Sequence, residues 1–358
     1  METIAARLLA LAGLCAVLVI SCTALRPDAG STGAVDAAEG KAVWNAAGPV
    51  RFLAVGDVNL GRAVGQEILE GDTLYPFLGV RDTFALCDVV FANLESSLSD
   101  QDGETESPRN NLVFTGPPAG ASALRGAGIT VVSTANNHAL DYGLEGAEET
   151  LNYLDDAGIV HAGTAFGSRS PYTPAVFQSK GVRFAVFACT DLMNGSHRGW
   201  WRTVAKADTG ALLGAIRCIR DSVDFIIVSY HGGEEYAPHP ADRTKGFAAA
   251  VIDGGADLFL GHHPHVSYGI EQRQGKYIVH SLGNFVFRQP ARYSTRWSFA
   301  FTADIRKNST GTRIETFRCI PVSAGFQPSF VVDGTDAEAM YDRIRVLSSR
   351  DVTEHISW

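Results

Sequence analysis

Five apolar runs in this chain end, within a few residues, in side chains able to hold a metal ion. Asp57 follows Phe52–Val55, Glu95 follows Val89–Ala92, Asn137 and His138 follow Ile129–Ser133, His231 follows Phe225–Tyr230, and His262, His263 and His265 follow Leu258–Leu260. Carboxylate, imidazole and amide oxygen without thiolate form a mixed nitrogen and oxygen set. Such a set suits Mn, Fe, Zn or Mg and not a Cys-rich structural zinc site. The carboxylates of Asp57 and Glu95 can bridge cations, so the expected cofactor is two divalent ions roughly 3.5–4 Å apart, the spacing of two-metal hydrolases. His263 and His265 flank Pro264; an extended segment points both to one side and turns His262 away into a supporting role. The expected ligands are therefore Asp57, Glu95, Asn137, His231, His263 and His265.

One such residue says little, because Asp and Asn favour strand-to-loop turns and a lone His is ordinarily a satisfied core or surface residue. The weight comes from the elements that must position them. Short apolar, β-branched runs at Val50–Val55, Val89–Ala92, Ile129–Ser133, Phe184–Ala188, Phe225–Tyr230 and Leu258–Leu260 read as strands. They alternate with helix-length patterns at Gly143–Ala157, Thr203–Ser222 and Asp242–Gly254, the arrangement of an α/β fold. Parallel strands bring their carboxyl ends to one edge of the sheet, where α/β folds build sites, so the clusters should converge. Later runs at Tyr268–Gln272, Lys276–Ser281, Trp297–Ile305 and Arg313–Ile320 are joined by short turns and read as antiparallel strands. Asp336–Leu347 reads as a helix.

At 358 residues, 46% hydrophobic and 19% charged, the chain has the composition of a folded protein, which excludes disorder and coiled coil for its bulk. Its 30 Lys and Arg against 39 Asp and Glu leave a net charge of −9, without the basic footprint that nucleic-acid binding needs. No GxGxxG or P-loop glycine run follows a strand, so a nucleotide-binding α/β domain lacks support.

The beginning of the chain carries an address. Leu8–Ile20 is an apolar run behind Arg7, too short to span a bilayer comfortably, and reads as the core of a signal peptide. It closes on Val19-Ile20-Ser21-Cys22, which resembles the bacterial lipoprotein box. Cys22 is the expected lipidation site, where two acyl chains make anchoring stable; the alternative is a plain secretory signal in which Cys22 is incidental. The expected organisation is a signal peptide over 1–21, a tether over 22–49 rich in Ala, Gly, Ser and Asp, a folded domain over 50–325, and a C-terminal helix and tail over 326–358. This places the protein outside the cytoplasm, held to a membrane as a lipoprotein at the cell surface or in the periplasm. Cys87, Cys189, Cys218 and Cys319 each sit in an apolar run and are expected as buried thiols; two disulfides in one of three connectivities stay open.

In chain order, Gly56-Asp57-Val58-Asn59-Leu60-Gly61-Arg62, Asn93-Leu94-Glu95, Ala135-Asn136-Asn137-His138, His231-Gly232-Gly233-Glu234-Glu235-Tyr236, Gly261-His262-His263-Pro264-His265-Val266 and Ser281-Leu282-Gly283-Asn284-Phe285 resemble the motifs of the bacterial capsule-synthesis CapA family. That family is implicated in making or exporting poly-γ-glutamate and is related to calcineurin-like metallophosphoesterases. The resemblance runs from about Arg51 to about Phe287. It implies a four-layer α-β-β-α sandwich, two mixed sheets between helices in a single large domain, with a metal pair at the carboxyl edge. It further implies His138 as proton donor or transition-state stabiliser, and Asn59, Arg62, Asn93, Glu235, His262 and Asn284 as residues that contact substrate or support the ligands. Arg62 would clamp an anionic group or serve as a surface ion-pair partner. Glu235 would act as a base, orient His231, or be a solvated loop carboxylate. Gly232 stands where the family usually has Trp, and His280 where it has Tyr; losing the Trp removes an aromatic wall. Asn59 stands where phosphoesterases place the His of Asp-x-His, and an amide in place of imidazole weakens one metal site.

Two functions are open on these residues. One is a metal-dependent, phosphoesterase-like hydrolase acting on an anionic polymer or a phosphoester, favoured by the Asn137-His138 pair because a cation bridge has no use for a proton donor beside a ligand. The other is a non-catalytic subunit whose cations bridge to an acidic polymer beside membrane polymer-synthesis proteins, favoured by the weakened first motif.

Overall fold

A strand sends successive side chains to opposite faces, so Val50–Val58 turns Phe52 and Ala54 one way and Leu53 and Val55 the other, and all four are buried. A strand apolar on both faces requires a layer on each side of it. The computed structural model describes residues 48–289, 291–353 and 356, and supplies both layers. The first sheet runs in the order Ser329–Phe330, Gly311–Ser323, Trp297–Asn308, Val50–Val58, Val89–Leu94, Val131–Ser133, Val160–Ala162, with Asn284–Val286 pairing beside the end of Val50–Val58. The second runs Ile270–Arg273, Lys276–Val279, Leu258–His262, Phe225–His231, Val182–Thr190, Ala175–Ser179.

Three separate cores make the layering explicit. Between the sheets, Phe52, Ala54 and Phe91 of the first meet Phe184, Ile227 and Leu260 of the second. The outer face of the first sheet is covered by the helices Arg62–Leu69, Ala119–Ala127 and Gly143–Asp156, through Val64, Ile68, Leu124 and Leu154. Thr209–Ile219 and Asp242–Asp253 cover the outer face of the second through Leu212, Ile216, Val251 and Ile252. The order is helix, sheet, sheet, helix, the four-layer α/β sandwich expected. Thr335–Leu347 adds Ala337, Tyr341 and Ile344 to the core between the sheets.

The later strands pair antiparallel as expected, Trp297–Asn308 with Gly311–Ser323 and Ile270–Arg273 with Lys276–Val279. The convergence of the clusters takes a different route from one sheet edge. Val50–Val58, Val89–Leu94 and Val131–Ser133 are parallel neighbours in the first sheet, whereas Phe225–His231 and Leu258–His262 are parallel neighbours in the second. Three clusters therefore come from one sheet and two from the other. They meet across the seam because the sheets pack face to face, and strand alternation cannot tell one buried sheet from two.

The helix expected over Thr203–Ser222 starts only at Thr209. Ala205 and Ala207 are drawn into backbone bonds with Gly163 and Thr190, and Asp208 caps the helix by accepting from the Ala211 N–H at 2.9 Å. Of the four thiols expected in the core, Cys189 and Cys319 are buried, whereas Cys87 is half-buried and Cys218 exposed. An apolar neighbourhood in sequence does not decide which face a helix or loop residue takes. The Leu8–Ile20 run, Cys22 and nearly all of the tether lie outside the described residues. Among the described residues no helix is long and apolar enough to cross a membrane.

Candidate metal centre

Asp57 reaches the seam because the end of its strand is irregular. The register with Val89–Leu94 shifts between Ala54 and Asp57, and the Asp57 N–H donates to Gly283 O at 3.0 Å. Gly56 makes this possible: a Cβ there would stand 1.8 Å from Gly283 O. Asn93, opposite Asp57 in the neighbouring strand, donates from Nδ2 to Asp57 Oδ1 at 2.9 Å and lies 3.1 Å from His231 Nδ1 in the other sheet. One amide thus ties a ligand candidate of each sheet to the other.

The candidate ligands gather into overlapping groups: Glu95 with His231 and His263, Asp57 with Glu95 and His265, and Glu235 with His263 and His265. In the first, His231 Nε2 lies 2.7 Å from Asn137 Oδ1, 3.1 Å from His263 Nδ1 and 3.6 Å from Glu95 Oε1. In the second, His265 Nδ1 lies 3.4 Å from Asp57 Oδ2, and its Nε2 is 3.9 Å from Glu95 Oε1. Glu95 is common to both. All six expected ligands are therefore brought together, Asp57, Glu95, Asn137, His231, His263 and His265.

His263 and His265 converge by a route other than an extended segment. Both have left-handed backbone, φ 94° and 58°, so a turn and not strand alternation aims their rings, 5.8 Å apart. His262 stays beneath, its Nδ1 3.4 Å from Asp57 Oδ1. Asn284 Oδ1 accepts from His265 Nδ1 at 2.9 Å, which leaves Nε2 for a ligand role. Glu235 is an exposed carboxylate grouped with His263 and His265, and Asn93 is the side chain that contacts His231 Nδ1. Asn59 Oδ1 turns back to accept from the Gly61 N–H at 2.7 Å, so its oxygen serves the loop.

Do these groups suit a cation? Glu95 is fully buried, and neither of its carboxylate oxygens accepts a hydrogen bond. A buried, unpartnered carboxylate is strongly unfavourable, and a divalent cation among these nitrogens and oxygens satisfies it. Burial, with the charge of Asp57, raises the Glu95 carboxyl well above its ordinary value. Burial pushes Asp57 the same way, but the imidazoles of His262 and His265 outweigh it and hold Asp57 well below. Burial drives His231 well down and His263 to about 3, so both are neutral imidazoles at pH 7 with lone pairs to give. The donor set fits a metal.

His138 stands at the rim of the group, with Nε2 4.0 Å from Glu95 Oε1. Three partners fix it, and none was singled out from sequence. Asp141 Oδ2 lies 2.7 Å from Nδ1, Phe114 stacks on the ring at 4.2 Å, and Asn194 Nδ2 sits 3.3 Å from Nδ1 while its Oδ1 accepts from Asn137. A signal existed for two of them. Asp141 is three residues past His138, and Asn194 follows the carboxyl end of Val182–Thr190, a strand read correctly but not followed to its end. Arg62 lies over Phe114, with Cζ 4.5 Å from the ring centroid, and its Nη2 donates to Asn111 O.

This is an α/β sandwich with a histidine and carboxylate cluster at the seam of its two sheets. Within that class the chain belongs to the bacterial capsule synthesis protein PGA_cap family, matched over residues 51–289. It is 31% identical over 263 residues to the PGA biosynthesis protein CapA of Bacillus subtilis, an alignment covering 72% of this chain and 68% of that one. It is 27% identical over 316 residues to the capsule biosynthesis protein CapA of Bacillus anthracis, covering 85% and 74%. A putative 5'-nucleotidase from Staphylococcus aureus has a similar structure at TM-score 0.45 and 12% identity, over 83% of this chain and 58% of that one, too slight a likeness to carry an argument about the site.

Proposed function

We infer that this protein is a lipid-anchored, extracytoplasmic participant in capsule or poly-γ-glutamate biosynthesis, or that of another envelope polymer, whose seam cluster works as a two-metal, phosphoesterase-like hydrolase. The family and its capsule and PGA biosynthesis relatives support the polymer context. The observation that carries the hydrolase reading is His138, buried at the rim with Asp141 on one ring nitrogen and the other directed towards Glu95. Glu95, His231 and His263 with the Asn137 oxygen would hold one ion; Asp57, Glu95 and His265 would hold the other. When bound, divalent ions supply Lewis acidity and neutralise charge developing at an ester centre. Asp141 holds the proton on Nδ1 and the orientation of the ring, so His138 Nε2 is the atom placed to pass a proton to the leaving oxygen. Phe114 restricts the ring to that orientation.

The bridging-subunit reading draws support from Asn59, whose amide oxygen is engaged by Gly61. Two variants separate the readings when metal content, turnover of bis(p-nitrophenyl) phosphate and p-nitrophenyl phosphate, and surface polymer are measured together. For a hydrolase, His138→Ala keeps metal and loses ~10²–10⁴ in rate, whereas Asp57→Ala loses both. Metal-loaded wild type inert on every ester, with normal polymer from His138→Ala, would overturn the hydrolase.

A further inference from the structure

Two guanidinium groups stand beside the cluster, each over an aromatic ring that also meets a histidine of the site. One is Arg62, over Phe114, which stacks on His138. The other is Arg292, whose Cζ lies 3.9 Å from the centroid of Tyr236, a ring 5.9 Å from His265. This second pair is hydrogen-bonded back to the centre. Gln289 Nε2 donates to the Tyr236 hydroxyl at 2.9 Å, Asn284 Nδ2 donates to Gln289 Oε1 at 3.0 Å, and Asn284 Oδ1 receives His265 Nδ1.

Both pairs also hold strained backbone. Arg62 has φ 56° and Tyr236 φ 62°, left-handed conformations that are unfavourable for a residue with a Cβ. Arg62 is kept there by its N–H donating to Thr105 O at 2.9 Å and by Thr105 Oγ1 donating to Arg62 O at 2.8 Å. Tyr236 is kept by its N–H donating to Pro264 O at 2.9 Å, inside the His263-Pro264-His265 turn. Strain that the surroundings over-determine clusters at ligand clamps.

Neither guanidinium is fully engaged. The carboxylate within 4.0 Å of Arg62 is that of Glu106, at 3.6 Å, and Arg292 is exposed with no ion pair among the described residues. An arginine laid on a ring is preorganised while its N–H edge stays available, and that planar fork matches a carboxylate or phosphate.

We propose that Arg62 and Arg292 are specificity-determining residues that read the substrate, each taking an anionic group beside the one that reacts at the cluster. The substrate then carries anionic groups in addition to the one that reacts, and an isolated phosphoester is only a poor stand-in for it. The reaction at the centre rests on the hydrolase reading; the binding of a polyanion by these two arginines does not.

The test uses the metal-reconstituted protein, with fluorescein-labelled poly-L-glutamate and polyacrylate as probes and neutral dextran as control. Arg62→Gly suits the left-handed backbone, and Arg292→Ala changes an exposed position, so metal content should stay at the wild-type value in both. Each substitution is expected to weaken binding of both polyanions roughly tenfold, the worth of a charge-assisted hydrogen bond, with dextran unbound throughout. Poly-L-glutamate should inhibit bis(p-nitrophenyl) phosphate turnover by wild type, and less so in the double variant relative to its own uninhibited rate. Undiminished polyanion binding by the double variant with full metal overturns the proposal and leaves the hydrolase reading intact. Weakened binding beside a wild type that turns over no ester, with normal surface polymer from His138→Ala, supports the arginines and removes the hydrolase.

Discussion

Glu95 Oε1 lies 3.6 Å from His231 Nε2, across the seam between the two sheets, and neither Glu95 oxygen accepts a hydrogen bond. The two atoms are too far apart to satisfy each other and near enough to share a cation. The same carboxylate faces His265 Nε2 at 3.9 Å and His138 Nε2 at 4.0 Å, so it is the hub of the site.

Glu95→Gln should therefore lose metal while stabilising the stripped protein. The folded-state value of Glu95 is raised, so its contribution to stability is full below ~4.3, the unfolded value, and is lost as pH rises through the folded value. In chelator at pH 7 the variant is expected to melt above wild type, and Mn or Zn to raise the melting temperature of wild type alone. A variant that melts lower than wild type in chelator would contradict the role of Glu95 as an uncompensated carboxylate.

The stripped protein should also be acid-sensitive through its neutral histidines. His263 is depressed to about 3, so its contribution is present above ~6.5 and is lost as pH falls from there through about 3. His263→Asn should flatten the decline in stability over that window by up to ~1.4 kcal/mol per pH unit. Denaturant midpoints at several pH values check this, and parallel slopes for the two proteins would refute it.

Gly56→Ala should destabilise the fold and empty the site together, because the new Cβ meets Gly283 O at 1.8 Å and the obstacle is backbone. A loss of roughly 2–4 kcal/mol is expected from strain of this kind, with reduced metal binding as Asp57 shifts. Unchanged unfolding and full metal content would show that the strand end gives way easily.

Cys22→Ser should release the protein from membranes, since Val19-Ile20-Ser21-Cys22 closes the apolar run where a lipoprotein peptidase would cut. Fractionation of cells with a carbonate wash reads the outcome. A variant that stays in the washed membrane pellet counts against the anchor.

The sequence by itself determined which donor types gather at the centre. Asp57, Glu95, Asn137, His231, His263 and His265 are readable as candidate ligands because donor type is a property of the residue, and because a polar residue ending an apolar run marks the end of a strand. The α/β alternation and the antiparallel pairing after residue 268 were legible for the same local reasons. Only the tertiary structure decided that two sheets share the site, because a strand buried on both faces looks alike in either. It alone decided that His263 and His265 meet through left-handed turns, and that Asp141, Phe114 and Asn194 fix His138. It also placed Arg292 beside Tyr236, 56 positions earlier in the chain. Contacts such as Asn93 with His231, 138 residues apart, depend on how layers stack, and periodicity within a window of residues carries no record of that.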